Sequence, residues 1–313
     1  MTVVALAGGT GGAKLAHGLQ FVLPPGELTV VVNTGDDTER HGLLVMPDHD
    51  AILYMLDGRF DNERGWGITD ETWTVMDELE RYGEEGWFRL GDRDFATHIA
   101  RGARLRNGAS LSDAVLDLQE ARGLPTGILP MADEPVRTQV LTDDGWLDFQ
   151  EYFVHRHQAP AVHEIRYAGI EAARMTPRVG AALDDAGVVV LGPSNPFVSI
   201  GPILAVPGLR EHIVAARSRR VPVVAVSGIV GGKALKGPAD RMMASLGHES
   251  SALGVATMYA DLLDGFVLDA VDASLEPAIR DLGMRTLVTD TIMADDPGRA
   301  RLARAVLEFA TSP

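Results

Sequence analysis

Three short runs of apolar, valine-rich residues in this chain each lead directly into a turn that contains glycine. The runs are residues 3–7, 187–191 and 223–227, and the turns are residues 8–12, 192–196 and 228–233. Runs of this length bounded by turn residues predict buried strands of a parallel sheet. Glycine lets backbone N–H groups approach ligand oxygen atoms closely, so turns of this kind favour a phosphate-binding site at the carboxyl ends of the strands.

Composition limits the class of protein further. The 313 residues include 28 Lys and Arg against 44 Asp and Glu, and the net charge of −16 argues against a DNA or RNA partner. The lack of cysteine excludes disulfides, thiol catalysis and cysteine-based zinc sites. No apolar stretch approaches the ~18 residues of a membrane span, and no basic segment precedes the first apolar run. We expect a cytoplasmic protein that binds neither nucleic acid nor a membrane.

The order of the predicted elements indicates an α/β class, with a Rossmann-like, mainly parallel sheet. The chain begins with a strand, the first glycine turn, a helix over residues 13–23 and a second strand over residues 28–32, which together form a βαβ unit. From about residue 41 to residue 168, amphipathic helix patterns replace the valine-rich runs, and Asp144-Gly145 marks a β-hairpin turn.

These patterns divide the chain into two parts. We interpret residues 1–40 and 169–313 as a nucleotide-binding α/β core that carries the parallel sheet. Residues 41–168 are interpreted as an inserted, mostly helical subdomain that carries the β-hairpin.

The first glycine turn matches neither standard phosphate-binding motif. A dinucleotide fingerprint would need glycine where Lys14 stands, and a P-loop would need lysine directly after Gly12, where Ala13 stands. A tight turn without a ligand is therefore the alternative interpretation. The later turns favour the phosphate site, because ligands of open α/β sheets bind beyond the carboxyl ends of several strands.

Acidic residues follow the second strand. Asp36 comes directly after it, and Asp48 and Asp50 lie a little further on. Carboxylates beside a phosphate-binding loop would repel the phosphate unless a cation lay between them, which favours an oxygen-ligated ion such as Mg²⁺. The alternatives are that Asp36 binds a ribose hydroxyl and that Asp48 or Asp50 caps the helix that follows.

A set of short motifs occurs in one order along most of the chain. They are residues 8–14, 32–37, 47–50, 64–67, 90–98, 128–131, and 192–196 with 199–202. Together they resemble the 2-phospho-L-lactate transferase family of coenzyme F-420 biosynthesis. The resemblance implies transfer of a phosphorylated three-carbon acid from a GTP-derived guanosine diphospho donor to the deazaflavin Fo, with release of GMP and a requirement for Mg²⁺. It also implies a homodimer.

The resemblance assigns roles to particular residues, and the subdomain of residues 41–168 becomes the acceptor-binding part. The implied nucleotide-binding residues are Gly8, Gly9, Thr10, Gly11, Gly12, Lys14, Gly192, Ser194, Asn195, Gly232 and Lys233. The implied metal ligands are Asp36 and Asp48. The implied catalytic residues are Asp48, Asp50 and Arg89. The implied deazaflavin-binding residues are Asp48, Asp50, Trp66, Arg89, Asp92 and Arg93, with burial of Trp66 in the core as its alternative.

Other interpretations stay open at this point. The acid on the donor is 2-phospho-L-lactate, phosphoenolpyruvate or phosphoglycerate, which differ by a few atoms. A related family of nucleotide-sugar-binding regulatory proteins shares the Gly-Gly-Thr-Gly opening, but it should carry Asp-Asp-Gly-Gly-Ser-Ser after the second strand, where this chain has Asp-Asp-Thr-Glu-Arg at residues 36–40. An NAD-binding protein is disfavoured by Lys14 in place of the third glycine.

Overall fold

A computed structural model describes residues 1–312 of the chain. Its strands are β1 (Val3–Ala7), β2 (Leu28–Val32), β3 (Thr38–Arg40), β4 (Leu43–Val45), β5 (Gly127–Pro130), β6 (Arg137–Thr142), β7 (Gly145–Asp148), β8 (Glu164–Ala168), β9 (Val188–Leu191), β10 (Val223–Val226), β11 (Ile229–Val230), β12 (Lys233–Ala234), β13 (Gly265–Asp269) and β14 (Arg285–Thr289).

The helices alternate with these strands. They are α1 (Gly9–Val22), α2 (Pro47–Leu56), α3 (Thr74–Arg81), α4 (Asp92–Arg106), α5 (Leu111–Ala121), α6 (Pro177–Asp184), α7 (Gly201–Ala205), α8 (Leu209–Ser218), α9 (Ala239–Ser245), α10 (Ala252–Met258), α11 (Glu276–Asp281) and α12 (Asp296–Thr311), with short π or 3₁₀ turns at Glu151–His155, Pro196–Ile200 and Ala270–Leu275.

Seven strands form one parallel sheet in the order β14-β13-β10-β9-β1-β2-β5. Counted along the chain, these strands follow the order 7-6-5-4-1-2-3, which is the doubly wound arrangement of a Rossmann-like fold. The predicted α/β class with a mainly parallel sheet is therefore confirmed. The direction of winding reverses between β1 and β9, and this reversal leaves a crevice outside their carboxyl ends.

Alternation along β1 explains why the valine-rich runs form the centre of the sheet. Val4 and Leu6 pack into one apolar cluster with α6 and α8, while Val3, Ala5 and Ala7 pack into a second cluster with α1, α2 and α12. Successive strand side chains point to opposite faces of the sheet. A run that is apolar at every position is thus covered by helices on both sides.

The first glycine turn differs from the sequence-based expectation. Helix α1 begins at Gly9 rather than at residue 13, so the glycine run is the first turn of the helix and not a separate loop. The helix reaches the end of β1 directly. Its N-terminus therefore lies at the carboxyl edge of the sheet, next to the crevice.

The predicted subdomain of residues 41–168 differs from the observed architecture, because β5 lies inside that range and pairs with β2 as the edge of the central sheet. The range therefore contributes to the core and is divided by β5 into two segments. The segment before β5 carries α2 to α5. The segment after it carries the predicted hairpin of β6 and β7, which β8 extends to a three-stranded antiparallel sheet.

The third glycine turn also has another structure. Gly231 and Gly232 form the two-residue turn of a small hairpin between β11 and β12, with φ of 57° and 77°. Two successive positive φ angles define a type I′ turn, which favours glycine without any ligand. Between residues 1 and 312, no single helix is long and apolar enough to cross a bilayer. The bent pair of Pro196–Ala205 and Leu209–Ser218 reaches that length and apolar character only when its two arms are taken together.

Candidate functional site

A cavity of about 640 Å³ opens at the crevice between the ends of β1 and β9. On the sheet side it is lined by Gly8, Gly9, Thr10 and Gly11 after β1 and by Pro193, Ser194 and Asn195 after β9. On the opposite side it is lined by polar and aromatic residues of the segments on either side of β5. The cavity thus lies where an open α/β sheet binds its ligand.

The turns after β1 and β9 are joined directly. The Gly8 N–H donates to Ser194 Oγ at 3.2 Å, and Ser194 Oγ donates to the Gly8 carbonyl at 2.8 Å. A Cβ on Gly8 would overlap Asp48 Oδ2 and the Ser199 side chain. Only glycine fits at this close approach, which holds the two turns and the start of α2 together.

The N-cap residue of α1, Gly8, has no side chain that could cap the helix, and the first turn contains no acidic residue. The Gly9 N–H donates to Asp48 Oδ1 at 2.6 Å. The following residues, Thr10 and Gly11, also line the cavity. An α-helix leaves the N–H groups of its first turn without internal partners. Such a helix end attracts an anion through its N–H groups and its dipole.

Asp36 and Asp48 lie side by side at the cavity and share one donor. The Asn33 side-chain amide donates to Asp36 Oδ1 and to Asp48 Oδ2, both at 2.9 Å. Burial and the neighbouring Asp48 and Asp37 raise the pKa of Asp36 well above its usual range. Burial also raises the pKa of Asp48 to about 6, against the opposing effect of hydrogen bonds from Asn33 and Gly9.

This carboxylate pair fits a hard cation. Both side chains are buried, both present only oxygen, and their mutual repulsion would be relieved by positive charge between them. No cluster of three or more potential metal-binding side chains occurs within residues 1–312. A bound Mg²⁺ would therefore take its remaining ligands from water and from substrate phosphate, as Mg²⁺ commonly does.

Asp50 also borders the cavity, but its carboxylate is already engaged. Arg101 Nη1 donates to Asp50 Oδ1 at 2.6 Å and Arg101 Nη2 donates to Asp50 Oδ2 at 2.9 Å. Burial would raise the pKa of Asp50, yet the Arg101 charge and its hydrogen bonds, with help from His49, hold it far below its usual range. A carboxylate held this way is a poor proton acceptor, which argues against Asp50 as the base.

Next to this ion pair, Asp94 and His98 extend a polar network along the cavity. Tyr54 donates to Asp94 Oδ1 at 2.6 Å, and His98 Nε2 lies 3.2 Å from the same oxygen. On its other side the His98 ring contacts Arg101 at 2.9 Å. Sequence reasoning assigned the neighbours of Asp94 in the Gly-Asp-Arg-Asp motif to the acceptor, whereas Asp94 is the member that borders the cavity.

Aromatic side chains form much of the cavity wall away from the sheet. Trp66 lines the cavity and is 40% exposed, which excludes the alternative that it belongs to the core. It contacts Trp73 edge-on at 5.8 Å between ring centroids. Arg89 lies at the rim in ion pairs with the surface of α3. The other aromatic residues of the wall are Tyr54, Trp87, Phe88, Phe149 and Phe153.

Several residues expected at the site do not line the cavity. Asp92 caps the start of α3 by accepting from Thr74 and Val75 N–H groups, and Arg93 is exposed and donates to the Thr69 carbonyl. Lys233 is 78% exposed and lies 3.5 Å from Asp240. The others that lie outside the wall are Gly12, Lys14, Gly192 and Gly232.

Two of these residues, Gly12 and Lys14, lie behind the residues that line the cavity. Gly12 packs so closely on Ser194 Oγ that a Cβ would have to displace it. Lys14 is half-buried one turn along α1, and its pKa is lowered by burial first and then by the charges of Arg299 and Lys236. Lys236 itself lines the cavity. The structure therefore brings a lysine of the β12–α9 loop to the cavity, rather than Lys233.

The sequence contained a signal for one residue that its analysis missed. Asn33 directly follows β2 and precedes Asp36, so its position at the carboxyl edge of the sheet could have been inferred. Lys236, Trp87 and Phe88 lie in loops without periodic patterns, and no comparable signal marks them.

The fold and the cavity define a Rossmann-like α/β protein with a ligand site at the switch point of its sheet. A family model described as 2-phospho-L-lactate transferase CofD matches residues 3–293. The chain therefore belongs to the 2-phospho-L-lactate transferase CofD family and is an enzyme of that transferase type.

Individual relatives are similar over nearly their whole length. A phosphoenolpyruvate transferase from Streptomyces griseus is 45% identical over 99% of this chain and 98% of its own. Another from Kitasatospora aureofaciens is 42% identical over 99% and 98%. A 2-phospho-L-lactate transferase from Methanosarcina mazei is 39% identical over 98% and 99%.

A solved structure supports the fold alone. A member of the UPF0052 family from Bacillus halodurans is similar with a TM-score of 0.62 over 98% of both chains, at 14% sequence identity.

Proposed function

We propose that this enzyme transfers a phosphorylated three-carbon acid from a guanosine diphospho donor to the deazaflavin Fo and releases GMP, as a step of coenzyme F-420 biosynthesis. The observation that carries the proposal is the meeting of the α1 N-terminus, where Thr10 and Gly11 line the cavity, with the buried pair Asp36 and Asp48 inside that cavity. A helix N-terminus suits a diphosphate, and the carboxylate pair suits the cation that would accompany it.

The donor would lie along the sheet side of the cavity. Backbone N–H groups of Thr10 and Gly11 would bind its diphosphate, and Lys236 would add a charge-assisted contact. The turn at Ser194 and Asn195 would border the nucleoside. These groups offset the net charge of −16, which by itself repels a nucleotide.

The Mg²⁺ would be held by Asp36 and Asp48, with Asn33 fixing both carboxylates from behind. Bound there, it would neutralise charge on the diphosphate. The chain's own contribution is alignment, since displacement at phosphorus depends mainly on positioning and on charge stabilisation.

The acceptor would enter from the aromatic side. Trp66 would stack on the planar deazaflavin, and Arg89 at the rim would contact its polar edge. A terminal hydroxyl of the ribityl chain would then attack the phosphorus distal to guanosine. The new O–P bond forms as the bond to GMP breaks, GMP leaves with the electron pair, and the hydroxyl proton passes to a carboxylate or to water.

Relatives support an enolpyruvyl group on the donor. The two phosphoenolpyruvate transferases named above are 45% and 42% identical to this chain, and the 2-phospho-L-lactate transferase is 39% identical. We therefore propose phosphoenolpyruvate as the acid carried by the donor, ahead of phospholactate and phosphoglycerate.

The test is a product analysis with purified protein and Fo. Each of the three activated acids is supplied in turn, with Mg²⁺ or with a chelator, and products are identified by mass spectrometry. We expect the enolpyruvyl product together with an equal amount of GMP, and neither after chelation. Turnover that continues after chelation would contradict the proposed requirement for Mg²⁺. Failure of Fo to bind, together with tight binding of a nucleotide sugar or NAD, would overturn the transferase proposal.

Two expectations that came with the family resemblance and the composition are also proposed, namely a homodimer and a cytoplasmic location. Light scattering on the purified protein tests the first, and fractionation of producing cells tests the second.

A further inference from the structure

Arg299 is a buried arginine of α12 whose side chain reaches across α1 toward the cavity loops. It is 3% exposed. Its Nη2 donates to Asn62 Oδ1 at 2.6 Å, while its Nη1 contacts His17 Nδ1 and donates to Asp296 Oδ1, both at 2.9 Å. Because a guanidinium can only donate, the His17 Nδ1 accepts. Arg299 thus connects three segments that are far apart in sequence.

These contacts require burial of the Arg299 guanidinium, which is unfavourable for the stability of the fold. A buried guanidinium loses its hydration, and an ion pair compensates for this loss only with close and complete hydrogen bonding. Among the described residues, Asp296 is the one carboxylate that forms an ion pair with Arg299, and its side chain is 57% exposed. The Nε of Arg299 has no hydrogen-bond partner among these residues. Burial first, and then the charge of Arg299, lowers the pKa of the nearby Lys14. Stabilisation of the fold therefore does not by itself account for a buried arginine at this position.

Asn62 lies in a closed loop of residues 60–68. An isolated antiparallel bridge joins Phe60 and Ile68, and the Asp61 N–H donates to the Gly67 carbonyl at 3.1 Å. The Asn62 amide donates weakly to the Phe60 carbonyl at 3.4 Å, which orients its oxygen toward Arg299. The loop is therefore compact, and Arg299 is its hydrogen-bonding anchor to the helical layer.

The tip of the same loop forms part of the cavity. Arg64, Gly65, Trp66 and Gly67 all line it, and Thr10 Oγ1 lies 3.5 Å from the Gly65 carbonyl. The loop thus covers the N-terminus of α1, where the donor phosphates are proposed to bind. Its position decides where Trp66 stands relative to that site.

We propose that Arg299 is a positioning residue of the acceptor site, which acts by holding Asn62 so that the loop of residues 60–68 presents Trp66 to the cavity. This inference rests on the proposed function for the identity of the ligand, but the anchoring itself does not. The family model ends at residue 293, so Arg299 lies outside the part that it matches.

The test combines hydrogen exchange with kinetics on the whole chain. The variants are Arg299→Met, Asn62→Ala, the double variant and Arg301→Met, the last being a matched control because Arg301 lies on the same helix and pairs with Asp290 at the surface. Loss of a charge-assisted hydrogen bond should speed amide exchange in residues 60–68 by about tenfold or more. We expect this in both single variants, no further increase in the double variant, and none in Arg301→Met.

The kinetic measurement separates positioning from general destabilisation. In Arg299→Met and Asn62→Ala, KM for Fo should rise with a smaller change in kcat, while KM for the donor changes less. Three outcomes would each overturn the inference. They are an exchange rate in Asn62→Ala equal to that of the wild type, faster exchange throughout the chain in either single variant, and an effect in the double variant that is the product of the two single effects. If Arg299→Met does not fold, Asn62→Ala and Arg299→Lys decide the same question. Failure of the wild type to bind Fo would instead overturn the proposed function.

Discussion

The two sides of the cavity are built in different ways. The sheet-side wall consists of main-chain turns, residues 8–11 and 193–195, that directly follow neighbouring strands. The opposite wall, here called the insert-side wall, consists of side chains from α2, α4, the loop of residues 60–68, residues 87–90 and residues 149–154. Backbone positions the first wall, because parallel strands must end at one edge of the sheet. Long-range side-chain contacts position the second.

This difference has an energetic counterpart. The sheet-side wall rests mainly on the ladder hydrogen bonds between β1 and β9, and Ser194 Oγ joins its two turns. The insert-side wall depends on one fully buried cation, Arg101, which joins Asp50 on α2 to His98 on α4 and to the Leu44 carbonyl. A single substitution can therefore remove the support of the insert-side wall. The sheet-side wall should tolerate side-chain changes other than a change of Ser194 or the addition of a Cβ to one of its glycines.

The largest effect is expected from Arg101→Met. Removing one partner of a buried ion pair leaves the Asp50 charge uncompensated and should lower the free energy of unfolding by about 3–5 kcal/mol. Urea denaturation measures it. Arg104→Met on the same helix is the matched control, because Arg104 pairs with Asp117 at the surface and such pairs contribute about 0–1 kcal/mol. Equal losses in both variants would show that the Arg101 pair does not support the wall.

The sheet-side wall is the part of the site that could be predicted from sequence. The valine-rich runs that end at Ala7 and Leu191, each followed by glycine, predict two parallel strands and a ligand site beyond their ends, and the fold confirms the strands. The signal is local and repeated. Even so, it did not reveal that Gly9 already belongs to the helix, since glycine normally disfavours a helix.

The insert-side wall could not be predicted to the same extent. Asp94 and Asp92 are two residues apart and chemically identical, yet Asp94 faces the cavity while Asp92 caps α3. Only the direction in which α4 packs separates them. Similarly, β5 could not be recognised as a strand of the central sheet, because Gly127–Pro130 is short, ends in a proline and lies in a region of helical patterns. A proline is tolerated there since β5 is an edge strand.

The second prediction compares two lysines near the β11–β12 hairpin. Lys233 follows the glycine turn and was expected from sequence to bind nucleotide, whereas Lys236 lines the cavity. A charge-assisted contact contributes about 1.5–3 kcal/mol, so Lys236→Ala should weaken GDP binding roughly ten- to a hundredfold. Lys233→Ala should change it far less. Calorimetry on both variants decides between them, and the reverse ranking would restore the sequence-based assignment.

The third prediction concerns pH at the carboxylate pair. Burial raises the pKa of Asp48 to about 6, so a proton should compete with Mg²⁺ there and weaken its binding by about tenfold, or 1.4 kcal/mol, for each pH unit below 6. The sign for the metal-free protein is opposite. A carboxyl whose pKa is raised in the folded state stabilises the fold at low pH, and this contribution is lost as pH rises through about 6.

Melting curves between pH 5 and 8, with and without Mg²⁺, measure both effects. The increase in Tm caused by Mg²⁺ should grow as the pH rises through 6. In Asp48→Asn we expect a smaller increase, whose remaining dependence on pH comes from Asp36, together with loss of transfer from a protein that still folds. A Mg²⁺ effect that is identical in the variant would remove Asp48 from the metal site.

The smallest effect is expected at Trp66, where the insert-side wall meets the ligand. Stacking of aromatic rings contributes about 0.5–1.5 kcal/mol beyond the area buried, so Trp66→Ala should raise KM for Fo at least severalfold and Trp66→Phe should restore most of the affinity. Trp146→Ala is the matched control, because Trp146 lies on the three-stranded sheet beneath Arg166 and does not line the cavity. Steady-state kinetics with varied Fo measures the change. If Trp66→Ala and Trp146→Ala have the same KM, Fo does not stack on this wall, and the remaining aromatic side chains around Phe149 and Phe153 become the acceptor surface to test.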